Sequence, residues 1–439
     1  MADDHVGPYQ LDGVAMPTWL LRFDKNGNGE SPRTLALLLD TLDRDPPTDL
    51  IFFSHGWNND FAFAGQLYRT MLGNVEAALA AHPDPARRLL FVGVVWPSIL
   101  LPGDPGPVIA GPGGALPPAE AAALDDLADR LPDIAGRLRA LAAKRALADD
   151  EASEVAQAIG QAIGDASPAA EGAEPDAAPD AQDVIAAARA IGAQLDAPPL
   201  TDDFGGRRGA GSNVSAAGLA WLNPVNLLRV LTVYQMKDRA GAVGANGVRA
   251  LMRDLLAHGS ARVHAVGHSY GAKVMLSALC AGPLPRPLES LLLLQPAISH
   301  LCFADVVPGR PGPGGYRAAL GPDRVIQPIL TTYSRHDIPL HDLFHVGLRR
   351  RADLGELGVA AGATSAGSPP SVYAALGGYG PRGAGETLVD PIPASAEPWP
   401  DVGGARIVGL DGTKDRRIGG HGDVTTPIAA GALARQILG

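Results

Sequence analysis

The sequence predicts an α/β protein with a mostly parallel central sheet, helices on both faces and an inserted helical segment. Short apolar strands alternate with amphipathic helices along most of the chain, which is the order that parallel pairing requires. The strand predicted at Asp49 to Phe53 contains an unbroken apolar run, as in a sheet covered on both faces. The insertion is predicted from a change of composition, because no aromatic residue occurs between Trp96 and Phe204.

Composition limits the possible functions. The 439 residues suffice for two or three domains, or for one large α/β domain with an insertion. With 36 Lys and Arg against 47 Asp and Glu, the net charge is −11, so the chain lacks the basic excess that binds nucleic acids or anionic membranes. We therefore expect no nucleic-acid partner. Two cysteines, Cys280 and Cys302, are too few for a disulfide scaffold or a four-thiolate zinc site.

The amino-terminal residues do not resemble a secretion signal. Acidic residues stand where such a signal carries Lys or Arg, and no apolar run has the length of a membrane-spanning helix. We expect a cytoplasmic protein with no transmembrane segment, while export without a signal peptide stays open.

The first part of the predicted core covers residues 1–98. Its second helix is predicted from Phe61 to Ala81, and Ser31 and Pro32 mark the start of the first. The segment Asp24 to Gly29 imitates the start of an EF-hand calcium loop, but Leu35 stands where that loop needs a bidentate Glu, so we interpret the segment as a tight turn. The predicted strands are Trp19 to Phe23, Asp49 to Phe53 and Leu89 to Val95.

The insertion, residues 99–214, is predicted to be helical and acidic. Leucines and isoleucines recur at spacings of three and four, which places them on one face of a single helix. A weaker stripe follows, and residues 165–182 are interpreted as a flexible, Pro-rich stretch. Residues 120–203 carry a net charge of −12 and the rest of the chain +1, so the acidity belongs to the insertion. The two stripes are Leu124, Leu127, Leu131, Ile134, Leu138 and Leu141, then Val155, Ile159 and Ile163.

The second part of the predicted core covers residues 215–439. A helical pattern runs to His258, and a last helix is expected from Thr426. The strand Val263 to Val266 leads through a glycine-rich turn into a helix from Ala272 to Leu279. The further predicted strands are Ser290 to Leu294, Pro328 to Tyr333 and Ala405 to Leu410.

The turn Gly267 to Gly271, Gly-His-Ser-Tyr-Gly, has the pattern of a nucleophile elbow. Such a turn holds its serine in a strained conformation at the tip, and the flanking glycines let strand and helix approach. The pattern alone is common in a glycine-rich chain, and a turn with an incidental serine is the alternative. Its position between an apolar strand and an amphipathic helix favours Ser269 as a nucleophile.

A serine nucleophile needs an acid that orients its base, and in an elbow protein the acid follows a later strand. Asp337 stands just past the carboxyl end of the strand Pro328 to Tyr333. Asp342 is the alternative, since it lies five residues further on, and it is equally interpretable as a loop carboxylate or a helix cap. We predict Asp337 as the acid.

The base is predicted to be His421, in the loop after the last strand. Neighbouring glycines allow this loop to approach the elbow closely. The alternatives are His336, His341 and His345, and their clustering also suggests a metal site. Pro339 interrupts any helix that would make these histidines face one another, so we expect no metal ion.

An oxyanion hole combines the N–H after the nucleophile with one from the loop after an earlier strand. Tyr270 supplies the first, and Trp57 the second. His55, Gly56 and Asn58 of the same loop, together with His268, are expected to line the substrate site. His268 also suits a core histidine that points into the sheet.

These pieces together resemble the α/β-hydrolase superfamily, in particular bacterial serine esterase-like and lipase-like enzymes with a His-Gly-Trp-Asn loop. The resemblance covers about residues 15–98 and 215–439. It implies an eight-stranded sheet, with the insertion lying over the site as a cap or lid. The stretch Gly355 to Pro400, unusually rich in Gly and Pro, departs from the pattern. The matching residues are His55 to Trp57, Val95 to Ser98, Gly267 to Gly271, Tyr333 to Asp337 and His421.

These residues predict a serine hydrolase that cleaves carboxylic esters through an acyl-enzyme, with no cofactor. The expected substrate is a small-molecule or lipid ester. The alternatives are a lipase or phospholipase effector exported without a signal peptide, an amidase or peptidase, and a non-catalytic binding protein on a hydrolase fold.

Overall fold

The apolar runs of the sequence form the strands of one sheet. The computed structural model describes residues 6–56, 61–98, most of 121–165, 180–196, 224–308, 312–344, 374–394 and 397–439. The strands are β1 Thr18–Arg22, β2 Asp49–Ser54, β3 Leu89–Val95, β4 Arg262–His268, β5 Ser290–Leu294, β6 Ile329–Tyr333, β7 Thr387–Val389 and β8 Ile407–Asp411.

Helices connect these strands. Proline begins the first, as predicted, although the Ser31 hydroxyl accepts a hydrogen bond from the Arg22 N–H instead of capping the helix. The helices are α1 Pro32–Arg44, α2 Phe61–Ala80, α3 Ala135–Ala142, α4 Asp149–Asp165, α5 Ala181–Asp196, α6 Pro224–Val243, α7 Arg249–Ala257, α8 Tyr270–Cys280, α9 Leu376–Tyr379 and α10 Pro427–Leu438.

The eight strands lie in the order β1-β3-β2-β4-β5-β6-β8-β7, and every pairing between them is parallel. The protein is therefore an α/β fold with an all-parallel sheet flanked by helices. Because the strands are parallel, their carboxyl ends meet at one edge. The register pairs Ser54 with Gly267 and His268 with Leu294, so the loops after β2, β4 and β5 leave the sheet side by side.

Two apolar layers cover the sheet, and alternate strand residues divide between them. Phe52 packs in the layer that contains α1, α6, α7 and α8, whereas its neighbour Phe53 packs against α2 and α10 on the opposite face. Both phenylalanines are fully buried. The strand β7 was not predicted, because it is a three-residue edge strand inside the Gly- and Pro-rich stretch and is too short to show a pattern.

The prediction of one helix from Leu124 to Leu141 is wrong. Pro132 starts a separate 3₁₀ turn, and α3 begins only at Ala135. Proline lacks an N–H and its ring collides with the preceding turn, so it cannot continue a helix. Leu127 and Leu141 of the stripe are buried all the same.

The described helices of the insertion join the main apolar core. α4 packs against α5 and α6, and α6 packs against α8, the helix that follows the glycine-rich turn. Val155 and Ile159 of the second stripe are buried within α4, and the side chain of Ile163 lies outside the described residues. Most of the stretch 165–182 is also outside them. Among the helices that the structure describes, none combines the length and apolarity needed to cross a bilayer.

Candidate functional site

Ser269 occupies a strained turn between β4 and α8. Its backbone has φ 53° and ψ −123°, a conformation that residues other than glycine rarely adopt. The turn is possible because both flanking glycines lack a Cβ. A Cβ on Gly267 would lie 2.6 Å from the Cα of Ala272, and one on Gly271 would lie 2.1 Å from the Ser54 carbonyl oxygen. The sequence motif therefore builds the elbow geometry that it predicts.

The backbone of Ser269 is held from the neighbouring strand. Its N–H donates to the Leu294 carbonyl oxygen at 3.0 Å, and its own carbonyl accepts from the Ala297 N–H at 3.2 Å. These two bonds attach the strained residue to the end of β5. The serine hydroxyl is thus fixed at the carboxyl edge of the sheet, next to the loops that follow β5, β6 and β8.

Ser269, His421 and Asp337 form one chain of hydrogen bonds. His421 Nε2 lies 2.9 Å from Ser269 Oγ, and His421 Nδ1 lies 2.8 Å from Asp337 Oδ2. The carboxylate accepts only, so Nδ1 carries the proton and Nε2 is left as the acceptor for the serine hydroxyl. The arrangement can remove a proton from Ser269 and hold the resulting positive charge beside Asp337.

The carboxylate of Asp337 is fully buried and has several donors. Besides His421, Gln295 Nε2 donates to Oδ2 at 3.0 Å and the Leu340 N–H donates to Oδ1 at 3.1 Å. A second contact ties the acid loop to the histidine loop, since Ser334 Oγ donates to the Ile418 carbonyl at 2.8 Å. The loops after β6 and β8 are therefore joined on both sides of the acid–base pair.

The alternative residues lie elsewhere or cannot be placed. His336 Nε2 donates to the Thr413 carbonyl at 3.1 Å, and the ring of His341 stacks on Tyr379 with a centroid distance of 4.3 Å. The side chain of Asp342 and the whole of His345 lie outside the described residues. Among the predicted acids and bases whose side chains the structure describes, Asp337 and His421 are the two that it brings to Ser269.

The predicted oxyanion loop lies against the elbow. A Cβ on Gly56 would be 2.7 Å from Ser269 Cβ, so this glycine lets the loop after β2 pack directly on the serine. Trp57 and Asn58, the next residues, lie outside the described part of the chain. Tyr270 is the first residue of α8, where the N–H groups of a helix end concentrate positive potential.

His55 was expected to line the substrate site, and the structure places it in the core. Its Nδ1 donates to the Gly56 carbonyl at 2.9 Å, its Nε2 accepts from the Trp96 N–H at 3.4 Å, and its ring stacks on Trp96. Burial lowers the pKa of His55 to about 4 despite the opposing bond to Gly56, so the imidazole is neutral. These contacts orient the loop that leads to Trp57 and leave no ring nitrogen for a substrate.

His268 lies beside Ser269 and is also buried. Its Nε2 donates to the backbone carbonyl of His421 at 3.2 Å, while its Nδ1 has no hydrogen-bond partner among the described residues. Burial, and next the nearby charge of His421, push the pKa of His268 well below its usual value. A neutral His268 therefore supports the loop of His421, which fits its interpretation as a core histidine.

Gln295 was missed by the sequence reasoning. It directly follows β5 and its side chain contacts both Asp337 and the loop of His421. One signal was present, because Gln295 is the first polar residue after the apolar run Leu291 to Leu294, at the same edge as Ser269. Nothing in the sequence shows that its amide faces the acid.

Comparisons with protein-family models, with curated proteins and with solved structures give no match to this chain. The residues and their geometry are therefore the basis on which a function is assigned.

Proposed function

We propose that the protein is a serine hydrolase that cleaves carboxylic esters through an acyl-enzyme intermediate. The observation that carries this proposal is the hydrogen-bonded chain Ser269–His421–Asp337, with its serine on a turn of positive φ. Buried polar groups are commonly paired for stability alone, but a strained serine at the end of a strand and the start of a helix is an arrangement that acyl-transfer chemistry uses.

The order of the elements supports assignment to the α/β-hydrolase fold. The serine follows β4 in the middle of the sheet, the acid follows β6 and the histidine follows β8. This is the order Ser, Asp, His that the fold uses. Within this proposal, the insertion 99–214 is the cap of the hydrolase.

The proposed reaction has two halves. Ser269 Oγ attacks the ester carbonyl carbon while His421 Nε2 takes the hydroxyl proton, and the resulting imidazolium stays beside Asp337. The C–O bond to the leaving alcohol then breaks, and His421 returns the proton to the departing oxygen. Water attacks the acyl-enzyme with the same proton transfers, which releases the carboxylic acid and restores Ser269.

The developing oxyanion needs hydrogen-bond donors. The N–H groups of Tyr270 and Trp57 are the proposed donors, since Gly56 lies against Ser269 and Tyr270 begins α8. Removing one such donor typically lowers kcat by about 10²- to 10³-fold. Carboxylic esters are the proposed substrates because their leaving group needs less protonation than the amine of an amide.

The first experiment is labelling with a fluorophosphonate probe, in which Ser269 Oγ attacks phosphorus and fluoride leaves. We expect labelling of the native protein, with the label on the peptide that contains Ser269, and none for Ser269→Ala. Ser277→Ala is a matched control: this buried serine lies in α8, the helix that follows Ser269, its hydroxyl is bonded to Tyr316, and we expect its removal to leave labelling intact.

Absence of labelling in correctly folded wild-type protein would contradict the serine hydrolase proposal and favour a non-catalytic binding protein. If the wild-type protein is labelled, turnover of short esters, micellar lipids and anilides by fresh, unlabelled enzyme separates an esterase from a lipase and from an amidase.

A further inference from the structure

Gln295 links the two loops that carry the acid and the base. It lies at the carboxyl end of β5 and is fully buried, with a backbone φ of 42°. Its N–H donates to Thr332 Oγ1 on the neighbouring strand β6 at 2.9 Å. A non-glycine residue held at positive φ costs free energy, so the surrounding contacts must hold it there.

The side-chain amide of Gln295 donates two hydrogen bonds from one nitrogen. Nε2 lies 3.0 Å from Asp337 Oδ2 and 2.7 Å from the carbonyl oxygen of Gly420, the residue before His421. Both partners are acceptors, and a flipped amide would place its oxygen against two oxygens. The orientation of the amide is therefore set by the site, and both of its N–H groups are used.

We infer that Gln295 is a positioning residue that holds Asp337 and His421 at their hydrogen-bond distance. This inference rests on the proposed serine hydrolase function and extends it to a residue outside the Ser–His–Asp chain. Gln295 acts through Asp337 and the backbone of Gly420, which are 42 and 125 residues away in the sequence. Among the described contacts, Gln295 is the one side chain that bonds to both Asp337 and Gly420. Without its amide, the loops that carry Asp337 and His421 lose this link.

The position of the base is sensitive to such a loss. His421 Nε2 must lie within hydrogen-bond reach of Ser269 Oγ, and a displacement of about 1 Å in a catalytic constellation can cost about 100-fold in rate. The effect falls on the chemical step, because Gln295 is buried beneath Asp337 and the carboxylate lies between it and the base. We therefore expect kcat to change and KM to stay close to its wild-type value.

The chain supplies a matched control in Gln327. Its Nε2 also donates to a carboxylate and a backbone carbonyl, Glu289 Oε1 at 3.0 Å and Gln436 O at 2.9 Å. Gln327 precedes β6 and lies at the opposite edge of the sheet from Ser269. Removing its amide deletes two hydrogen bonds of the same kind without touching the loops of Asp337 or His421.

The test compares Gln295→Met, Gln295→Asn and Gln327→Met. Methionine keeps the unbranched shape and deletes both donors. Asparagine keeps an amide and tolerates positive φ better than most residues, but it is one methylene too short to reach both acceptors. We expect both Gln295 variants to lose about 100-fold in kcat at unchanged KM. We expect Gln327→Met to stay within about twofold of the wild-type kcat, since it does not touch the site.

Hydrolysis of a short chromogenic ester, with folding checked by circular dichroism, provides the measurement. Wild-type kcat in Gln295→Asn, or a loss in Gln295→Met no larger than in Gln327→Met, overturns the positioning role while the serine hydrolase proposal stands. A wild-type protein that neither turns over esters nor reacts with a fluorophosphonate overturns both. If Gln295→Met does not fold, the asparagine variant decides the question.

Discussion

The part of the chain that the structure describes contains two Ser–His–Asp hydrogen-bond chains, which differ in their place in the fold and in their exposure. At the carboxyl edge of the sheet, Ser269, His421 and Asp337 come from three loops. In the body of the sheet, His264 Nδ1 lies 2.8 Å from Ser290 Oγ and His264 Nε2 lies 3.1 Å from Asp49 Oδ1. By distances alone, the two chains are nearly equivalent.

Their surroundings separate them. Asp49, His264 and Ser290 lie within adjacent strands β2, β4 and β5, and all three are fully buried. Burial raises the pKa of Asp49, but hydrogen bonds from His264 and Thr48 and the charge of Arg262 outweigh it, so the pKa is lowered overall. This interior set is a satisfied polar cluster that joins three strands at their amino-terminal ends.

The set at the carboxyl edge differs from the interior set in the backbone of its serine and in the exposure of its histidine. Ser269 is lifted onto a turn of positive φ at the start of α8, and the side chain of His421 is 16% exposed. A hydrogen-bonded Ser–His–Asp chain is therefore insufficient for nucleophilic chemistry. A carbonyl group must also reach the serine, and donors must face the charge that develops.

The largest expected contrast is between the two histidines. His421→Ala removes the proposed general base and should lower kcat by about 10⁶-fold, as loss of the histidine from such a set does. Its stability cost is small, because Asp337 keeps its bonds from Gln295 and Leu340. His264→Ala removes a fully buried ring from between three strands, together with its hydrogen bonds to Asp49 and Ser290, and should cost about 3 kcal/mol of stability.

We expect His421→Ala to lose activity and keep its stability, and His264→Ala to lose stability and keep its activity. Ester hydrolysis and urea unfolding of both variants measure these two effects. The folded fraction of His264→Ala should retain the wild-type kcat/KM. Loss of rate in His264→Ala, with stability intact, would reverse the roles assigned to the two sets.

The second prediction concerns a histidine buried behind the edge site. His55 has a folded-state pKa of about 4 against 6.5 for an ordinary imidazole, so the unfolded chain binds more protons between these values. Stability therefore rises with pH across this window and is lost as pH falls through it, by on the order of 3 kcal/mol from this residue. His55→Gln should remove that part of the pH dependence, measured as the free energy of unfolding at pH 7 and pH 4. Parallel curves for wild type and variant would contradict a neutral, buried His55.

The smallest expected effect belongs to Ser290→Ala. The hydroxyl of Ser290 bonds to His264, and its removal should cost about 1 to 2 kcal/mol because one buried ring nitrogen loses its partner. Fluorophosphonate labelling and kcat/KM should stay at wild-type values. Altered labelling in this variant would show that the interior serine takes part in the chemistry.

Much of the fold was predictable because the sequence pattern is local. The strands Leu89–Val95 and Ser290–Leu294 have the bounds that their apolar runs predict, and the strand–helix alternation predicts parallel pairing. The insertion was predicted less well. The spacing of its leucines predicted one continuous helix, although Pro132 within that segment interrupts it. The edge strand β7 was missed because three residues are too few to show the alternation of apolar and polar residues that indicates a strand.

The candidate site was predictable only in part. The motif around Ser269, the place of Asp337 after a strand and the glycines around His421 named three residues that the structure brings within hydrogen-bond distance. Gln295 could not be found in this way, because its partners are distant in the sequence and a lone glutamine after a strand has no characteristic spacing.

The sequence by itself determined seven of the eight strands, where the elbow forms and which groups can carry a proton. Only the tertiary structure decided that His421 meets Ser269 while His264 is held inside the sheet, and that His55 and His268 are neutral supports. The reason is that a hydrogen bond and a pKa depend on distance, burial and neighbouring charge. Those quantities exist only once segments far apart in the chain have packed together.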